Sequence, residues 1–156
     1  MSALTDVYEN KLIDFLFRAQ ALGITGASAG AGTGPATLYV GLFTANPTDT
    51  AGGTEVTGGS YARVSVTSSL ANWAGTQSAG STTASSGTGG TTSNNNAITF
   101  PAPTANWGVV TGYAIFDAST GGNMLIYSAL TTNKTVNNGD AAPSFAAGSL
   151  TFQIDN

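Results

Sequence analysis

Residues 96–154 carry four apolar runs separated by turn residues: ITF at 98–100, VVTGYAIF at 109–116, MLIYSAL at 124–130 and LTFQI at 150–154. The last run alternates strictly between apolar and polar residues, which is typical of a half-buried β-strand. The two middle runs are separated by a loop containing Ser-Thr-Gly-Gly, which favours a hairpin. Because neither middle run alternates cleanly, we expect both to be central strands covered on two faces.

Further strand patterns lie at residues 37–45 and 61–67, and a short one lies at 134–136. Nothing helical separates these runs, so a parallel α/β sheet is excluded. The pattern predicts an all-β fold, an antiparallel β-sandwich of about six or seven strands, preceded by an N-terminal α-helix.

The helix is predicted over residues 3–22, with Thr5 or Ser2 as its N-cap and Gly23 as its C-cap. One apolar stripe faces the body of the protein; its members are Tyr8, Leu12, Phe15, Leu16, Ala19 and Leu22. Ile13 and Phe17 fall on the far side. This second patch is either a partly exposed apolar edge of a helix that lies in a groove of its own protein, or a contact surface for another protein. We favour the contact surface. The candidate assembly interface is Ile13, Phe17, Tyr8 and Leu12.

The predicted organisation is a docking helix over residues 1–22, a Gly-rich tether over 23–36 and a β-sandwich domain over 37–156. A low-complexity insert occupies residues 74–95, which are almost wholly Gly, Ser, Thr, Ala and Asn. Such a composition buries little apolar area, so the insert is expected to be mobile. The alternative is an extended arm that only its neighbours order.

The amino-acid composition excludes several classes of function. The 156 residues include no Cys and no His, and only 8% are charged, with a net charge of −4. Catalysis of the Ser-His type and thiolate metal sites are therefore excluded. Four basic residues are too few for nucleic acid, and no apolar stretch is long enough for a membrane span. We expect a protein with no enzymatic activity, no catalytic residues, no metal and no cofactor.

Three weaker hypotheses concern particular side chains. Asp49 and Glu55 lie in a Gly-rich loop, where they could bind calcium, although no ligand spacing supports a site. Glu55 could instead pair with Arg63 and fix the loop. Trp73 and Trp107 are a weak candidate platform for a sugar ligand, but we favour Trp107 as a lid over one end of the sandwich.

Several segments resemble a known family. They are LYVGLFTANP at 38–47, GGTEV at 52–56, GGSYAR at 58–63, ITFP at 98–101, WGVVT at 107–111, IFDA at 115–118 and PSFAAGSL at 143–150. Together with the helical start at residues 5–17, they resemble small bacteriophage virion structural proteins labelled tail fibre or minor tail proteins. The resemblance does not extend to residues 23–36 or 74–95.

The resemblance implies a structural protein of the phage particle, made in the bacterial host cytoplasm, whose partners are other tail or capsid proteins. A tail-associated component ranks first, a capsid decoration (cement) protein second and a carbohydrate-binding receptor module third. Because phage appendages are symmetric, we expect a homo-oligomer, with a trimer as the first choice.

Overall fold

The computed structural model describes residues 4–23 and 34–154. These residues form one helix, α1 (Asp6–Arg18), and nine strands. The strands are β1 (Thr37–Ala45), β2 (Thr54–Glu55), β3 (Val64–Thr67), β4 (Thr91–Ser93), β5 (Ile98–Thr99), β6 (Gly108–Phe116), β7 (Met124–Val136), β8 (Ser144–Phe145) and β9 (Thr151–Gln153). The predicted class, an antiparallel β-protein of sandwich type with an N-terminal helix, is confirmed. Residues 24–33, which make up most of the predicted tether, lie outside the described part.

The chain divides into two compact units, each assembled from separated segments. The first, here called the helical unit, combines the described residues up to 36 with 67–98 and 145–154. The second, the sheet unit, combines 37–66 with 99–144. This grouping differs from the predicted separation of helix, tether and one β-domain, because α1 shares a unit with the insert at 74–95.

The sheet unit contains an antiparallel sheet in the order β2-β1-β6-β7, and β3 also pairs with β1. β1 has the predicted bounds, and β6 lies between β1 and β7 with most of its residues buried. The expectation of a central strand is therefore correct for residues 109–116. It is wrong for 124–130, since β7 lies at the edge of the sheet and every second residue from 127 to 131 is exposed.

A wide bulge interrupts β7. Val110 pairs with Lys134 and Gly112 pairs with Ala129, so the four residues 130–133 stand opposite Thr111 alone. The predicted strands at 124–130 and 134–136 are thus the two halves of one strand, and the gap between them is the bulge.

The helical unit is built around one face of α1. Ile13 and Phe17 are 0% and 1% exposed. The Phe17 ring meets the Trp73 ring edge-on, with 4.9 Å between centroids, and stacks on Phe152 at 5.2 Å. Phe152 lies in β9, which pairs with β4. This aromatic cluster, named here by its members Phe17, Trp73 and Phe152, fixes the helix against the C-terminal strand.

The prediction that Ile13 and Phe17 form an assembly interface is therefore contradicted by their burial within the chain's own core. Of the opposite stripe, Tyr8 and Leu12 are only half-buried. Helical spacing alone does not reveal which of the two apolar stripes meets the aromatic partners.

The helix is also shorter than predicted. Thr5 occupies the N-cap with an extended backbone and makes no side-chain cap hydrogen bond. The helix ends at Arg18, because Ala19 adopts a left-handed conformation with φ 54°, and the Gln20 backbone N–H donates to the Asp14 carbonyl at 3.0 Å. The predicted end at residue 22 and the predicted C-cap at Gly23 are wrong.

Truncating Phe17 tests its place in the core. Phe17→Ala should lower the free energy of unfolding by about 3–5 kcal/mol, because it removes a fully buried ring and leaves a cavity. Val7→Ala, at a position on the same helix that is 65% exposed, is the control and should change it by less than about 0.5 kcal/mol. Urea unfolding of the purified chain measures both values. Equal, small effects would show that Phe17 is not a core residue.

Candidate functional site

A buried cation joins α1 to the polar insert. The Arg18 side chain is 0% exposed, and its Nη1 lies 2.6 Å from the Asp14 carboxylate one turn earlier on the same helix. Its Nε donates to the backbone carbonyl of Trp73 at 3.0 Å, and its Nη2 donates to that of Thr83 at 2.5 Å. Asp14 in turn accepts hydrogen bonds from the backbone N–H and the hydroxyl of Ser85. The Arg18–Asp14 pair therefore makes hydrogen bonds to three separate residues in or next to the insert, Trp73, Thr83 and Ser85.

A second polar contact lies two turns nearer the start of the helix. The Asn10 side-chain amide donates to the Gly87 carbonyl at 2.9 Å and accepts from the Thr76 hydroxyl. The same hydroxyl accepts the Gly87 backbone N–H at 2.9 Å. We call the set Asn10, Asp14 and Arg18 the helix clamp, since each of the three side chains bonds to residues between 73 and 87.

The insert is therefore folded against the helix, and the expectation of a mobile segment is wrong for residues 74–95. Residues 76–87 are held by hydrogen bonds to the helix clamp, and residues 91–93 are held by pairing of β4 with β9. Thr92 and Asn94 extend the pattern beyond the clamp. The Thr92 hydroxyl donates to the Ala74 carbonyl, and the Asn94 amide donates to Ala146 while its oxygen accepts from the Leu150 backbone.

A surface groove of about 700 Å³ runs beside the clamp. Its walls are the start of α1, contributing Asp6, Val7 and Lys11, and the insert at residues 84–88. Most of the lining residues carry polar side chains, and Val7 is a large apolar side chain exposed in its wall.

The sheet unit contains a second ion-pair cluster. Arg63 donates from Nε and Nη2 to the two Glu55 carboxylate oxygens, at 2.8 Å and 2.7 Å. The Tyr61 hydroxyl also donates to Glu55 Oε1, at 2.9 Å, and accepts the Leu42 backbone N–H at 2.8 Å. The carboxylate lies over Gly41 of β1, where a Cβ would stand 3.0 Å from Glu55 Oε1. The hypothesis that Glu55 pairs with Arg63 is confirmed.

Arg63 also holds the β6–β7 hairpin. Its Nη1 donates to the carbonyls of Ala118 and Gly121, and its Cζ lies 3.3 Å from the centroid of the Phe116 ring. A guanidinium so placed gains a cation–π interaction in addition to its ion pair. The cluster thus links β1, the loop before β3 and the hairpin.

Burial raises the pKa of Tyr61 far above its usual value, and the neighbouring Glu55 charge adds to the effect. Because the folded-state pKa exceeds the unfolded one, the stabilisation from the neutral phenol is complete below about pH 10. It is lost as the pH rises through the folded-state pKa.

The remaining candidate residues do not form a ligand site. Trp73 is 0% exposed, and Trp107 is buried with its Nε1 donating to the Gly59 carbonyl at 3.0 Å and its ring edge-on to Tyr61. The predicted sugar platform fails for this reason, since neither ring presents a face to solvent. Asp49 accepts a hydrogen bond from the Tyr127 hydroxyl, and Glu55 is engaged by Arg63. Within residues 4–23 and 34–154, no group of three or more acidic, His or Cys side chains could hold a metal.

Sequence reasoning missed the helix clamp. Asp14 and Arg18 stand four residues apart, and this spacing predicts a weak surface pair rather than a buried one. The available signal was the proximity of these charges to Ile13 and Phe17. Once those two residues face the core, the charges beside them must also be buried.

The antiparallel sheets and the single N-terminal helix define a mostly β protein of sandwich type. A family model described as podophage GP4 fiber I protein gp80 matches residues 3–153. The chain therefore belongs to this family of phage tail-fibre-type proteins, and it is a structural component of the virion that associates with other virion proteins. No curated protein matches the chain. Across the described residues, no helix is long and apolar enough to span a bilayer.

Removing one charge tests the sheet-unit cluster. Glu55→Gln should lower the free energy of unfolding by about 3 kcal/mol, because the nearly buried Arg63 would keep its charge without a counterion. Asp6→Asn, at an exposed acid in the first turn of α1, is the matched control and should cost less than about 1 kcal/mol. Urea unfolding at neutral pH gives both values. A Glu55→Gln effect no larger than the control would show that the pair does not support the fold.

Proposed function

We propose that the chain is a non-enzymatic fibre component attached to the phage tail. In this proposal it is synthesised in the host cytoplasm and assembles with other tail proteins and with copies of itself. The observation that carries the proposal is the family model, which covers residues 3–153 and describes a fibre protein.

Acidic side chains that are held in ion pairs within the fold support a role without catalysis. General acid–base chemistry needs ionisable groups that are free to exchange protons with a substrate. Here Asp14 is engaged by Arg18, and Glu55 is engaged by Arg63 and Tyr61. Two of the eight acidic residues are thus held in ion pairs, and the sequence has no His and no Cys.

The competing roles have less support. A carbohydrate-binding module would need exposed aromatic faces, and both Trp side chains are buried. Capsid decoration would suit a small β-protein equally well, but the family description names a fibre. Copy number separates these roles, since shell decoration requires many more chains per particle than a tail appendage does.

Attachment through the N-terminal helix remains part of the proposal, with different residues. Because Ile13 and Phe17 are buried, the surface available for docking is the start of α1. Leu4 and Val7 are the exposed apolar residues there, beside half-buried Tyr8 and Leu12. We propose that this surface contacts a neighbouring tail protein.

Incorporation into particles tests attachment and position together. Val7→Asp should reduce the number of chains per particle about tenfold or more, because burying a Val contributes roughly 1.5–3 kcal/mol and Asp removes that gain. An Asp in the first turn is compatible with the helix. Quantitative mass spectrometry of purified particles measures the copy number, and isolated tails show where the chain resides.

Thr131→Asp, at an exposed position in the β7 bulge, is the control and should leave incorporation unchanged. Normal incorporation of Val7→Asp would contradict docking through the start of α1. Recovery of the wild-type chain on capsids and not on tails would contradict the tail assignment itself.

A further inference from the structure

The turn that follows β7 contains the one Asn-Gly pair of the sequence, Asn138-Gly139. An Asn that precedes Gly is prone to deamidation, because Gly has no side chain to hinder the approach of its backbone nitrogen to the Asn carboxamide. All four residues of the turn, 137–140, are exposed, so water reaches this pair. The sequence and the solvent therefore favour the reaction, and only the conformation of the turn can oppose it.

Deamidation at this pair proceeds in two steps. The Gly139 nitrogen loses its proton to solvent and attacks Cγ of Asn138, and the carboxamide nitrogen leaves as ammonia, which closes a five-membered succinimide ring. Water then opens the ring. Attack of water on the side-chain carbonyl yields aspartate, and attack on the main-chain carbonyl yields isoaspartate, in which the main chain runs through the side-chain carbons. One water is consumed and one ammonia is released.

Two hydrogen bonds attach the reacting pair to residues 101–107, the loop before β6. The Gly139 N–H donates to the Pro103 carbonyl at 3.0 Å. The Asn138 N–H donates to Asn106 Oδ1 at 2.8 Å. The nitrogen that must act as the nucleophile is thus held, with its proton, against a neighbouring loop, and its attack requires the loss of this hydrogen bond.

The shape of the turn also separates the reacting atoms. The Asp140 N–H donates to the Asn137 carbonyl at 3.2 Å, and the Asn137 N–H donates to Asp140 Oδ2 at 2.8 Å. Because φ is 80° at Gly139 and is not positive at Asn138, this is a type II turn. Such a turn sets ψ of Asn138 at about +120°. That angle rotates the Gly139 nitrogen away from Asn138 Cβ, whereas the succinimide ring needs both atoms on the same side of the Cα–C bond.

We propose that Asn138 is a latent deamidation site, held unreacted by the hydrogen bonds that the 137–140 turn makes within itself and to the loop before β6. The site becomes reactive when the turn opens. Isoaspartate adds a carbon atom to the main chain, so its formation prevents the turn from regaining these hydrogen bonds. The inference concerns the sheet unit alone and is independent of the proposed function.

Peptide mass spectrometry of the full-length chain, incubated in mildly alkaline buffer, measures the rate at which Asn138 becomes aspartate and isoaspartate. The folded wild type should react at least about tenfold more slowly than the same chain unfolded in urea, because the reaction must wait for the turn to open. Asn106→Ala removes one acceptor without altering the reacting pair, and it should raise the folded-state rate about threefold or more. Asn133→Ala, at an exposed position in the β7 bulge, is the control and should leave the rate unchanged.

Two further measurements separate opening of the turn from loss of the fold. Circular dichroism and the melting temperature should agree between the Asn106→Ala and Asn133→Ala variants. Hydrogen exchange of the Gly139 amide in the folded wild type, which depends on no variant, should be at least about tenfold slower than in the unfolded chain. Equal reaction rates of the folded and unfolded wild type would overturn the proposal. So would a folded Asn106→Ala variant that reacts no faster than the wild type, or a Gly139 amide that exchanges as fast as in the unfolded chain.

Discussion

The helical unit depends on the charge of Arg18, a guanidinium that is fully removed from solvent and paired with Asp14. Burying a charge is costly unless its donors are all satisfied. The Asp14 carboxylate alone cannot accept hydrogen bonds from all five N–H groups of the guanidinium. The other acceptors must therefore come from elsewhere in the chain. They come from backbone carbonyls and a hydroxyl between residues 73 and 85. The insert buries little apolar area of its own. It is held in place because its carbonyl groups accept hydrogen bonds from the buried Arg18 guanidinium.

The sheet unit follows the same principle with different residues. Arg63 is placed between a carboxylate, two carbonyls of the β6–β7 turn and an aromatic ring, and it fixes that turn, residues 117–123, which has few apolar side chains of its own. The chain has only four basic residues, and both arginines serve inside the fold. Solubility therefore rests mainly on uncharged polar groups.

Periodicity and turn residues were sufficient to predict the fold class and several elements. β1 has its predicted bounds, and the hairpin between β6 and β7 lies where the Ser-Thr-Gly-Gly loop placed it. The alternation at the C-terminus is also correct, with Leu150 and Phe152 buried on one face. These features depend on interactions that are local in sequence, which is why sequence patterns report them.

The errors concern interactions between residues far apart in the chain. Both stripes of α1 are apolar, and the choice between them is made by Trp73 and Phe152, which lie more than fifty residues away. The insert was judged by its own composition, whereas its order depends on charges of α1. The run at 124–130 does not alternate cleanly, which predicts a central strand, but local periodicity does not determine the position of a strand within its sheet.

A buried cation, rather than apolar burial, orders residues 74–87. Hydrogen exchange of Arg18→Met measures this dependence, since Met fills similar volume without the charge. Amide exchange across residues 74–87 should become at least about tenfold faster, equivalent to roughly 1.4 kcal/mol, with β6 and β7 protected as in the wild type. Lys11→Met, which removes a cation from the same helix, should leave that protection unchanged. Unchanged protection of residues 74–87 in Arg18→Met, or an equal loss throughout the chain, would show that the buried cation does not order them.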